Sequence, residues 1–285
     1  MRTQIIQWIS RVLTLCVFGP LCANFASRVR SIDGSERASF LVSQSMGSGA
    51  AVLAAILGIV VVVGVVIAKL TTRREAMLNM AFMFGWVAWT SGRMGDLFRT
   101  QQGGFVQLAI EAGLIGIAVM VVLRVSSNFK GDDETPTMVD CSGMFRGASL
   151  MAIGAAMVAA IASAWAFGQT DLSGQSLWAA FAGGIVAGLV GAMVLRSQEQ
   201  VGDDRSISMI PMIFGVLLAG VVAPLIGMAV PGSGKLLESL ASGSMPGWLT
   251  VSPVSWAVGA LLGVPIGWGW LESTVAMQES QAQAA

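Results

Sequence analysis

The sequence contains no histidine. That absence removes His-ligated haem, the H-E-x-x-H metalloprotease helix and every Ser-His-Asp or Cys-His triad. Charge is also scarce: 11% of the 285 residues are charged, against about 25% in soluble domains, which excludes an ordinary soluble fold. Neither sign dominates, with 16 basic and 16 acidic residues. No basic run points to nucleic acid, so none is expected as a partner. Three cysteines, Cys16, Cys22 and Cys141, have neither C-x-x-C spacing nor neighbouring ligands, and so define no zinc site or disulfide framework. The lysines Lys69, Lys130 and Lys235 lie between apolar segments, which excludes a Schiff-base lysine within a helix. Nothing in the sequence calls for a cofactor or a metal, and no enzyme motif is present.

Long apolar runs are abundant, with 55% of residues hydrophobic. A bilayer crossing needs about 20 apolar residues, and stretches of that kind occupy residues 49–68, 104–123, 147–167, 177–195, 207–230 and 251–271. A seventh, residues 76–98, is apolar as far as Ser91 and then meets Arg93, Asp96 and Arg99. An eighth candidate, residues 12–26, is short and contains Pro20; its processing signal is poor, so a retained span is favoured over a cleaved signal. The fold expected is an all-α, polytopic transmembrane bundle of about eight spans forming a single domain, residues 1–285, with a short polar tail at 272–285.

Basic residues collect on the cytoplasmic side of short loops. Eight spans put ten of them on one side (Arg2, Arg11, Lys69, Arg73, Arg74, Arg124, Lys130, Arg146, Arg196, Arg205) and six on the other (Arg28, Arg30, Arg37, Arg93, Arg99, Lys235). Both termini are therefore expected in the cytoplasm, with a bacterial inner membrane as the setting. Two segments, residues 76–135 and 147–206, share anchors at offsets that drift from 76 to 72 residues: Ala88-Trp89 with Ala164-Trp165, Asp96-Leu97 with Asp171-Leu172, and Leu123-Arg124 with Leu195-Arg196. This reads as a duplicated helical hairpin, an organisation met both in transporters and in assemblies with no transport role.

Small residues recur at four-residue spacing. Ala148, Ala152, Ala156, Ala160 and Ala164 form one stripe, Ala180, Gly184, Gly188 and Ala192 a second, and Ser255, Gly259, Gly263 and Gly267 a third. Close backbone approach between membrane helices explains them without a pore or a dimer seam. Pro211, Pro224, Pro253 and Pro265 set bundle geometry by kinking helices. Pro231-Gly232-Ser233-Gly234-Lys235 fails the phosphate-loop pattern at Ala229 and Leu236. Asp132, Asp133, Glu134, Asp203 and Asp204 read as solvated acidic loops.

Glu111 is the ionisable residue deep within a secure span, about 10 Å from its start at 1.5 Å per residue. Such residues are paired or functional. With a tight turn near Gln102 and Gly103, counting back places Arg93 level with Glu111, and Gln107 near Asp96. Asn79, Trp86, Thr90 and Arg93 share a helical face. Glu111, Arg93, Asp96, Gln107 and Asn79 are thus the candidate polar pathway, or else a structural ion pair with polar neighbours. The expected function is a transporter-like or channel-like protein embedded in the lipid bilayer, as a homo-oligomer or alone. The alternative is a non-catalytic structural or assembly subunit of a membrane complex.

Overall fold

A computed structural model describes residues 2–100, 104–127, 129, 147–170, 172–199, 208–229, 238–239, 242 and 245–284. The acidic loops at 131–146 and 200–207 and the Pro231–Lys235 segment lie outside the described residues, as does the turn at Gln102 and Gly103. The helices are α1 (Arg2–Leu13), α2 (Gly19–Ala26), α3 (Met46–Leu70), α4 (Arg73–Trp89), α5 (Met94–Thr100), α6 (Phe105–Ser126), α7 (Gly147–Phe167), α8 (Ser173–Glu199), α9 (Ile210–Ala229), α10 (Pro253–Val258) and α11 (Val264–Ala284). There is no β-strand among the described residues, so the bundle is all-α.

Two joints in this series are π-turns, Thr14–Phe18 between α1 and α2 and Gly259–Gly263 between α10 and α11. Both have the same local cause. Proline lacks an N–H and clashes with the carbonyl four residues earlier, and Pro20 and Pro265 each follow a π-turn that contains that carbonyl, at Cys16 and Leu261. Widening the turn by one residue relieves the clash without ending the helix. The chain therefore runs as continuous spans over Thr3–Ala26 and Pro253–Gln278. The expected span at 12–26 is the second half of the first, and the expected tail at 272–285 continues α11 as helix to Ala284.

Seven helical segments among the described residues are long and apolar enough to cross a membrane. The expected span at 76–98 is not one of them. It breaks after Trp89, and α4 has 17 residues, about 25 Å of helix against a hydrocarbon thickness of about 30 Å. Instead α4 is the buried centre of the bundle. Ala76, Met77, Met80, Ala81, Met83, Phe84, Val87 and Ala88 are all within 1% of full burial, and α1, α2, α3, α8, α10 and both π-turns pack around it. The outward faces of the spans carry large apolar side chains instead, among them Val62, Ile117, Val158, Trp165 and Trp178. Exposed apolar surface on that scale has a lipid solvent.

The small-residue stripes do bring backbones together, in a pairing the stripes alone leave open. Ala152, Ala156, Ala160 and Ala164 of α7 are fully buried against α8. Gly184 and Gly188, on another face of α8, meet the last helix: a methyl built on Gly188 would lie 2.5 Å from the Val264 carbonyl oxygen. The reverse holds for Gly263, whose methyl would lie 2.5 Å from the Phe181 oxygen, while methyls on Gly184, Gly259 and Gly267 would overlap the carbonyl oxygens of Gly259, Ala180 and Ile185. These five glycines make one helix–helix seam between α8 and the Gly259–Gly263 and α11 stretch.

The two hairpins inferred from the shared anchors are packed differently. α7 and α8 form a close pair, whereas the principal neighbours of α6 are α9, α3 and α10, and α4 packs chiefly on α2, α3 and α10.

Candidate functional site

Buried polar groups gather at the two ends of α4. At one end Thr72 caps the helix, its hydroxyl accepting from the Glu75 N–H at 3.2 Å, which fixes Glu75 in the first turn. Glu75 is nearly fully buried and receives both arms of the Arg11 guanidinium, the Nε donating to Oε2 at 2.9 Å and the second arm to Oε1. A forked pair of this kind is among the stronger side-chain contacts. It borders a cavity of about 450 Å³ between α1, the start of α4 and the last helix, lined by Gln7, Arg11, Thr72, Arg74 and Glu75 with an apolar wall at Leu261–Ile266. One turn further along α4, Asn79 is fully buried; its amide donates to the Glu75 carbonyl at 2.7 Å and its Oδ1 has no partner among the described residues. Thr14 Oγ1, in the first π-turn, is likewise buried without a partner.

Beyond Asn79 the column turns apolar: Met80, Met83 and Phe84 close the middle of the bundle.

The other end of α4 holds Arg37 and Glu111. Glu111 does not pair with Arg93. Its Oε2 accepts from the Ser39 hydroxyl at 2.6 Å, from the Phe40 N–H at 2.8 Å and from the Leu41 N–H at 3.1 Å, while Ser39 Oγ also accepts from the Val42 N–H at 3.2 Å. Successive N–H groups converging on one anion form a nest, here built from the 27–45 segment and filled by a side chain of α6. The segment is drawn into the bundle: Ala38, Ser39, Phe40, Leu41 and Val42 are all buried.

Arg37 secures the same segment. Its Nε donates to the Ala26 carbonyl at 3.2 Å and one terminal nitrogen to the Val87 carbonyl at 3.3 Å, so one guanidinium serves the C-terminal carbonyls of α2 and α4, where helix ends present partial negative charge. It also stacks 4.0 Å over the Phe40 ring, and Gly92 N–H donates to the Arg37 carbonyl at 2.7 Å. Burial pulls the guanidinium down to about 10, opposed by the charge of Glu111; it remains a cation at neutral pH.

The remaining sequence candidates scatter. Arg93 is exposed, because the helix ends at Trp89 and residues 90–93 leave the helical path on which the level count depended. Asp96 pairs with Arg99 at 3.0 Å on the surface. Gln107 Oε1 is buried one turn before Glu111 and has no partner among the described residues. Asn79 belongs to the opposite end. Trp86 is exposed, so the face Asn79–Trp86–Thr90–Arg93 is not one polar seam. Sequence reasoning missed Arg11, Arg37, Ser39 and Glu75. Two signals were there to be read: the apolar run Ala38–Val42 inside a nominal loop, and the Thr72-x-x-Glu75 capping pattern.

Fold and site together define the class, an α-helical polytopic integral membrane protein with buried charge at both ends of a central helix. No family model matches the chain, and neither a curated protein nor a solved structure matches it.

Proposed function

We propose that the protein is a transporter-like or channel-like membrane protein that passes a small polar or charged solute beside α4, seen here closed at its centre. The observation carrying this reading is the cavity at the Arg11–Glu75 end together with Asn79, one helical turn beyond its lining residue Glu75, fully buried and with an Oδ1 that has no partner among the described residues. Buried polar atoms are ordinarily satisfied, and intramembrane polar groups line pathways or bind one another. The plug of Met80, Met83 and Phe84 supports the closed reading, since unbranched and polarisable methionine repacks readily.

The test is light scattering by proteoliposomes of the purified protein under osmotic gradients of potassium chloride, ammonium chloride, a neutral amino acid and a sugar. Permeation of at least one solute above protein-free vesicles is the expected result, with loss of that permeation in Asn79→Leu and little change in melting temperature, because leucine gives up one amide hydrogen bond to the Glu75 carbonyl but also removes a buried Oδ1 that has no partner among the described residues. Absence of permeation, together with recovery of other chains in a mild-detergent purification, would overturn the reading in favour of a structural or assembly subunit.

A further inference from the structure

A second concavity lies on the side of the bundle, away from α4. It is a groove of about 650 Å³ between α6 and α9, floored by Ala112, Gly113 and Gly116 and walled by apolar side chains such as Ile117, Phe214 and Leu217. The floor is open because those glycines are not packing contacts: a methyl on Gly113 would meet nothing within 4 Å, and one on Gly116 only Leu217 Cβ at 3.7 Å. This contrasts with Gly184 and Gly188 of α8, where a neighbouring backbone fills the space. Along α6 the groove runs from Ala112 to Arg124, about 18 Å at the helical rise.

Arg124 supplies the charged residue of the lining, at one end of the groove. It lies in the last turn of α6, a membrane-spanning helix, and is exposed. Its guanidinium donates to Ser127 Oγ at 3.2 Å, and no carboxylate pairs with it among the described residues. An apolar trench about one leaflet deep that ends, at the end of a spanning helix, in a guanidinium with no carboxylate partner among the described residues has the shape and charge of one molecule: an acyl chain below, a phosphate above. Basic residues at the ends of interhelical pockets recognise anionic headgroups in this way. A partner helix would leave that cation facing apolar surface, which charge complementarity disfavours.

We propose that the α6–α9 groove is a binding site for an anionic phospholipid, one acyl chain lying over Gly113 and Gly116 and the phosphate held by Arg124. The site is independent of the α4 column. The experiment compares melting temperatures of the whole protein in mild detergent with added phosphatidylglycerol, phosphatidylcholine of the same chains, or inorganic phosphate. Phosphatidylglycerol should raise the melting temperature above the other two, as a ligand of the folded state must. Arg124→Gln should reduce its effect to that of phosphatidylcholine. Gly113→Leu and Gly116→Leu, whose added Cβ atoms meet no backbone, should keep the lipid-free melting temperature and abolish the rise from both lipids, and native mass spectrometry should show the bound lipid lost in the same variants. Equal shifts from the two lipids, a full shift from inorganic phosphate alone, a response unchanged in all three variants, or a copurifying polypeptide displaced by Gly116→Leu would each overturn the assignment.

Discussion

Removing the carboxylate of Glu111 should release the 27–45 segment from the bundle. In Glu111→Ala three buried donors lose their acceptor: the Ser39 hydroxyl and the N–H groups of Phe40 and Leu41. At about 1–3 kcal/mol for each orphaned group, the loss is about 3–9 kcal/mol, comparable with a whole-protein stability of about 5–15 kcal/mol. The buried Arg37 charge is also left without its counterion, a change that works in the same direction. Glu111→Gln keeps one oxygen for the nest but puts its amide where Oε1 is buried with no partner among the described residues, and should lose about 1–3 kcal/mol, less than Glu111→Ala. Arg93→Gln, on an exposed side chain, should stay within about 0.5 kcal/mol of wild type. Melting in detergent ranks the three variants. A double-mutant cycle should then find coupling of Glu111 to Ser39 and none to Arg93. Trypsin gives a second readout, because Arg37 is shielded while the segment is seated, so cleavage after Arg37 should appear in Glu111→Ala and not in Arg93→Gln. Wild-type melting in Glu111→Ala, or coupling to Arg93 as large as that to Ser39, would refute the nest.

Gly188→Ala pushes a methyl to 2.5 Å from the Val264 oxygen and should destabilise by about 1–3 kcal/mol through overpacking, whereas Gly154→Ala, with nothing within 4 Å, should gain up to about 1 kcal/mol of helix propensity; equal melting temperatures would remove the seam. The ten-to-six distribution of basic residues counts α4 as a crossing, and short as it is α4 does run from the end of α6, where Arg73 donates to the Ser126 carbonyl, to the Arg37 segment that abuts the start of α6; on that count reporter fusions after Arg196 and after Ala285 should report the cytoplasm and one after Ser173 the outside, and an outside signal at Ala285 would overturn that orientation.

Spans were legible because bilayer thickness imposes a length and a composition that survive any tertiary arrangement, and the stripes of Gly184, Gly188, Gly259, Gly263 and Gly267 announced close approach for the same reason. Partners were not. The position of Arg93 relative to Glu111 rested on counting at a constant rise through residues that leave the helix at Thr90. The actual partner, the Ser39–Leu41 backbone, lies some 70 positions away and carries no side-chain signature beyond one serine. Burial of Glu75 follows from its place at the start of a helix surrounded on all sides, a property of the assembled bundle and not of its neighbours in sequence.

The two π-turns have a consequence for every straight projection of these helices. An α-helix advances each residue by about 100°, and each turn inserts one residue beyond the regular count. A helical wheel drawn through residues 2–26 or 253–284 therefore misplaces everything past Phe18 or Gly263 by roughly that angle, enough to exchange a face turned to lipid for one turned to the bundle. An apolar stripe read without the two prolines would point the wrong half of each segment inward.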